Sequence, residues 1–222
     1  MLFRSNQIAA AFLLNYYTDT VLIGAGAIAT MFLVCRIFDG VTDLVMGGIV
    51  DKTSSRLGKA RPWLIASAPL TLLGIVLLMN VPAGLGETGK LAYAYITYIF
   101  MNCIVYTIYG ISNTALLPLM THDKNESTML ATFSALGNNI IGLLAGSLIT
   151  PLVLNFGWKT SSVILGGAAC VLILISGLLN KEMESMEEGR QRASVPMSEQ
   201  LPATLKNKYF WLLLLLGAFS LI

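Results

Sequence analysis

Apolar runs near or above the roughly 20 residues that span a bilayer as a helix recur along the whole of this chain. They lie at about 6–23, 25–50, 62–81, 91–120, 129–154 and 159–179, and a seventh begins at 209 and continues to residue 222. Only 12% of the residues are Asp, Glu, Lys or Arg, about half the share of a soluble domain. A soluble protein of this length would need many more charges to cover its surface. The expectation is an all-α membrane protein.

Turn chemistry separates the runs. A polar stretch from Asp51 to Arg61 precedes Pro62, a residue suited to a first helical turn. Residues 82–90 are glycine-rich, 121–128 are polar, and Asn155-Phe156-Gly157 marks a turn between the fifth and sixth runs. A charged linker with two prolines covers 181–207. The expected organisation is a six-helix bundle over 1–180, the linker over 181–207, and the start of a seventh helix over 208–222. Both ends read as cuts, and residues 1–5 read as foreign and are kept out of the functional reading.

Charge placement orients the bundle. The 51–61 loop, the 121–128 loop and the linker with its junction to the seventh helix fall on one side and hold Lys52, Arg56, Lys59, Arg61, Lys124, Lys181, Arg190, Arg192, Lys206 and Lys208. The opposite loops hold Lys90 and Lys159. The positive-inside rule places the richer side, the linker and the N-terminus in the cytoplasm of a plasma-membrane protein. No basic segment interleaved with aromatics points to nucleic acid. Cys35, Cys103 and Cys170 lie apart within apolar runs and read as small buried residues, not as a disulfide or metal set. His122, the single histidine, reads as solvated.

Three ionisable residues, Arg36, Asp39 and Asp43, fall well inside the second run. Charge at that depth is costly and faces a cavity or a partner. Asp39 and Asp43 are one helical turn apart on one face, with Arg36 a further turn back. Two dry carboxylates at that spacing repel unless a monovalent cation lies between them or one holds a proton. That is the chemistry of a coupling site for Na⁺ or H⁺. The competing reading is an internal ion pair of Arg36 with one aspartate, which leaves the other acid unexplained.

The fourth run carries a polar stripe of Asn102, Tyr106, Gly110 and Asn113, with Thr107 one step round. Such a face suits a hydroxyl-rich solute, and it suits equally the hydrogen bonding of packed helices. Asn138 and Asn139 raise the same question. Tyr16, Tyr17, Tyr93 and Tyr95 near helix ends read as aromatic belts. An enzyme is not expected: both acids lie on one helix, and neither a metal-ligand spacing nor a nucleophile motif occurs.

The stretch Arg36-Ile37-Phe38-Asp39-Gly40-Val41-Thr42-Asp43, followed by Gly47-Gly48-Ile49-Val50-Asp51-Lys52 and Arg56-Leu57-Gly58-Lys59-Ala60-Arg61-Pro62-Trp63, resembles the glycoside–pentoside–hexuronide:cation symporter family of the major facilitator superfamily. Tyr17-Thr18-Asp19 and Tyr106-Thr107 match as well, and the likeness runs to the Leu205-Lys206-Asn207-Lys208 entry of helix seven. The resemblance implies the N-terminal half of a twelve-helix carrier, whose second six-helix bundle would be its partner. It implies a cation site at Asp39, Thr42, Asp43 and Thr107, open to Na⁺, H⁺ or Li⁺, with no further cofactor. It makes Asp51, Arg56, Gly58, Lys59 and Arg61, with Arg36, gating or structural residues. At the positions of the family's galactoside site only Tyr106 is kept. The helix-one acid falls at Phe3, the helix-four acid at Gly110, the helix-four tryptophan at Thr114 and the helix-five arginine near Ala135. The expected activity is cation-coupled symport of a sugar or glycoside; the alternative is another solute, such as an amphipathic lipid, on the same fold.

Overall fold

The computed structural model describes residues 10–121, 123–183 and Lys206. His122, Phe3, most of the linker and the start of helix seven lie outside the described residues. Six helices follow the six apolar runs. Helix α1 covers 10–21 and widens over its last turns into a π-helix, Tyr16–Val21. It stops at Leu22, whose left-handed backbone (φ 65°, ψ 40°) is uncommon for a residue with a side chain. Helix α2 is Ala25–Lys52 and α3 is Arg61–Leu78, with Pro62 in its first turn. Helix α4 is Glu87–Leu119, interrupted by a π-helical stretch, Phe100–Tyr106.

A continuous stretch, Lys124–Leu179, is broken at Gly157, where φ is 73° and ψ 168°. That positive φ is cheap only for glycine. It divides the stretch into α5 (124–156) and α6 (158–179) at the turn expected from Asn155-Phe156-Gly157. Arg61–Leu78, Glu87–Leu119 and Asn125–Leu179 are each long and apolar enough to cross a membrane.

Helices α3 and α6 run antiparallel, because Ile65 lies against Gly177 and Leu72 against Gly166. A Cβ on Gly177 would stand 2.7 Å from the Ile65 side chain, and one on Gly166 3.0 Å from Leu72. Small residues at such crossings let membrane helices approach closely, which is how they gain dispersion energy where lipid removes the hydrophobic drive. Asn80 at the end of α3 donates to Ser162 Oγ on α6 at 3.2 Å.

Two apolar clusters hold the remaining helices. One joins Tyr17 of α1, Ile28, Met31 and Cys35 of α2, Leu78 of α3, and Tyr98 and Cys103 of α4. The other joins Met46 and Val50 of α2 to Ala60, Leu64 and Leu116. Between them, Asp39 on α2 meets Cys103 and Thr42 meets Thr107 of α4. The Asp39 carboxylate therefore occupies a polar layer between two apolar ones.

Tyr16 and Tyr17 are not belt residues, as their place near a helix end had suggested. Tyr17 is fully buried; its hydroxyl donates to Leu78 O at 3.4 Å, and Tyr16 Oη accepts from Val81 N at 3.2 Å. The widened turn of α1 points both rings into the bundle. Tyr93 Oη donates to Leu77 O at 3.1 Å, and Tyr95 Oη to Ala27 O at 3.2 Å, so these hydroxyls also tie helices together. Helix α5 differs from the rest: none of its described residues is buried.

A candidate cation and solute site between α2 and α4

Regular α geometry through α2 puts Arg36, Asp39 and Asp43 along one face, as their spacing requires. Asp39 is half-buried; Arg36 and Asp43 are exposed. Thr42 Oγ1 donates back to Phe38 O and Asp39 O, both at 3.1 Å, and lies 3.5 Å from Thr107 Oγ1 across the helix pair. Cys103 Sγ donates to Asp39 Oδ1 at 3.4 Å and approaches Cys35 O at 3.9 Å. Asp39, Thr42 and Thr107 are thus brought together, and Asp43 follows Asp39 by one turn on the same face.

The π-helical stretch Phe100–Tyr106 faces this part of α2. Single wide turns of this kind occur in α-helices most often at functional sites. Here the turn lets Thr107 Oγ1 reach Asn102 O, five residues back, at 3.5 Å. Thr107, one step off the polar stripe by α-helical counting, is consequently buried against Thr42. Asn102, Tyr106, Gly110 and Asn113 are half-buried. Asn102 Nδ2 donates to Tyr98 O of its own helix at 3.3 Å. A side chain at Gly110 would meet nothing within 4 Å, so the position where the family pattern has an acid opens onto free space.

The oxygens gathered here, the Asp39 carboxylate and the Thr42 and Thr107 hydroxyls, are hard, and one thiol, Cys103, lies on Asp39. Hard oxygen suits an alkali cation or a proton and ill suits a soft transition metal.

Residues 4–222 match the family described as MFS/sugar transport protein. The chain belongs to that family. Among its relatives, an uncharacterised symporter of Bacillus subtilis is 32% identical over 203 residues, covering 86% of this chain and 43% of that protein. An isoprimeverose transporter of Lactiplantibacillus pentosus is 28% identical over 221 residues, 95% of this chain and 45% of the relative. A putative glycoside/cation symporter of Escherichia coli is 36% identical over 165 residues, 74% and 35%. The chain therefore spans less than half the length of these relatives. The match places it among the glycoside–pentoside–hexuronide:cation symporters of the major facilitator superfamily, a family of transporters and not of enzymes.

At the loop between α2 and α3, this family member builds a clamp from the basic stretch. Gly58 has φ 107°, and Ser55 Oγ donates to Gly58 O at 2.7 Å, closing a tight turn. The turn aims three backbone N–H groups, of Lys59, Ala60 and Arg61, at the Glu182 carboxylate at 2.8, 3.0 and 3.0 Å. An anion at a helix N-terminus is favoured by the exposed N–H groups and the helix dipole. Arg61 reciprocates: its guanidinium donates to Gly177 O and Leu178 O, both at 3.1 Å, at the end of α6. Each charge thus caps the other helix's terminus. Asp51 and Arg56 are exposed, and Thr53 Oγ1 accepts from Trp63 Nε1 at 2.8 Å.

Sequence reasoning missed Cys103 and Glu182. Cys103 was read as a small buried residue, and its position four before Thr107 was the one hint of more. Glu182 was read as part of the linker; an acid just past α6, with a basic loop on the same side, was the available signal.

Proposed function

We propose that this chain is the N-terminal bundle of a carrier that couples the downhill entry of a monovalent cation, Na⁺ or H⁺, to uptake of a sugar or glycoside. The observation that carries this reading is the juxtaposition of Asp39, Thr42, Cys103 and Thr107 across α2 and α4, with Asp43 one turn on. The relatives' names favour a sugar or glycoside over an amphipathic lipid.

Asp39 and Asp43 would hold the cation, with the Thr42 and Thr107 hydroxyls completing its shell. A bound cation removes the repulsion between the acids and draws α2 against the wide turn of α4. Ordering that turn fixes Asn102, Tyr106 and Asn113 around the open space at Gly110, where the solute would bind. By linkage, solute then raises cation affinity by the same factor. The occupied carrier rocks this bundle against a second six-helix bundle of the same polypeptide around the midplane site. The loop between α2 and α3, the linker and the N-terminus lie on the cytoplasmic face in this reading, and the Glu182–Arg61 clamp keeps α3 and α6 moving as one body.

The test is uptake of labelled pentosides, glycosides and uronides into vesicles carrying the intact transporter, under an imposed Na⁺ gradient and then a proton gradient. One solute accumulating under one gradient identifies both. No accumulation of any sugar under either gradient overturns the reading.

A further inference from the structure

At the end of the bundle away from the Glu182 clamp lies a cavity of about 530 Å³, within the range of small-molecule sites. Its walls come from the last turn of α1, the connection between α3 and α4, the start of α4, and the corner around Gly157. Lys90 and Lys159, the two cations of the loops on this side, are 69 positions apart in sequence, yet both line it, and no acid does. Lys90 Nζ donates to Val21 O at 3.3 Å, which leaves it two further N–H groups. Lys159 is exposed; its carbonyl accepts from Ser162 Oγ at 2.7 Å, and its ammonium makes none of the hydrogen bonds or ion pairs found among the described residues.

The rest of the lining is a recognition surface. Tyr16 and Trp158 pack with ring centroids 5.0 Å apart at 54°, giving a rigid aromatic wall. Thr20 and Thr160 add hydroxyls. Gly157 has the backbone that turns α5 into α6 and carries no Cβ to fill the space.

We propose that this cavity is a binding site for an anionic group, phosphate or carboxylate, carried on a moiety with an apolar or pyranose face. The two ammonium groups would hold the anion through charge-assisted hydrogen bonds, and the rings would cover the attached face. Two sources share this chemistry: the headgroup of an anionic phospholipid and a free acidic sugar. The site is separate from the α2–α4 site and stands without the transport reading.

The test places the protein in phosphatidylcholine nanodiscs and follows tryptophan emission, with Trp158→Phe as the control for the reporter. One arm adds phosphatidylglycerol to the discs; the other titrates glucuronate, with glucose as its neutral counterpart. A saturable change in one arm, absent with glucose and in Trp158→Phe, is expected, and the responding arm names the source. Lys159→Gln should weaken the response about tenfold, the loss of one charge-assisted contact, while Lys159→Arg retains it. Lys159 is exposed, so the Gln variant keeps its fold, as far-UV circular dichroism checks. No saturable response in either arm, or an equal response in wild type and Lys159→Gln, overturns the proposal.

Discussion

Thr107 shows how much one hydroxyl can depend on the backbone beneath it. By α-helical counting it stands beside the polar stripe; in the structure it is buried, 3.5 Å from Thr42 Oγ1. Thr107→Val keeps the volume and removes the donor and acceptor. We expect cation affinity to fall about tenfold, the worth of one good contact, with folding kept; the cation dependence of solute binding measures it. Ser112 offers the opposite case. Its Oγ is buried without a hydrogen-bond partner among the described residues. Removing an unsatisfied hydroxyl recovers its desolvation cost, so Ser112→Ala should stabilise the fold by about 1 kcal/mol, read from unfolding in detergent. The acids on α2 were legible because charge inside an apolar run is rare. The role of Cys103 was not, since a buried thiol looks the same in sequence whether or not a carboxylate lies 3.4 Å away. Nor were the inward rings of Tyr16 and Tyr17, which depend on the π turn that carries them.

At the scale of elements, the six helices and the Gly157 turn were readable because apolar length and turn residues fix both. The π turn of α4 was not, because one extra residue per turn leaves no mark on composition. Its importance is testable by deletion of Ile104, an exposed residue within it. Removing one residue restores α-helical pairing and rotates Thr107 by about 100° relative to the preceding turns. The variant should stay helical by circular dichroism and lose the cation dependence of solute binding. The Glu182 clamp was invisible for another reason: it joins residues more than 120 positions apart. Glu182→Gln keeps the shape but removes the charge at the start of α3, and should cost about 1–2 kcal/mol of stability. Gly58→Ala should be worse, since its φ of 107° strains any side chain and the new Cβ would overlap the Glu182 carboxylate. A thermal melt that leaves both variants at the wild-type midpoint would remove the clamp from the account.

For the molecule as a whole, two relatives in the family are more than twice as long as this chain. Helix α5 presents Phe133, Leu136 and Leu143 at its surface, as lipid or a second bundle allows. The proposed coupling site lies within the α1–α6 bundle, whereas alternating access needs two bodies. Membrane insertion and solute accumulation should therefore be separable by substitution at the acids. The decisive measurement is gradient-driven accumulation of the identified solute in vesicles carrying the intact transporter, wild type beside Asp43→Asn. We predict that Asp43→Asn inserts normally and no longer accumulates solute against a gradient; accumulation that still follows the cation gradient in this variant would contradict the assignment of the site.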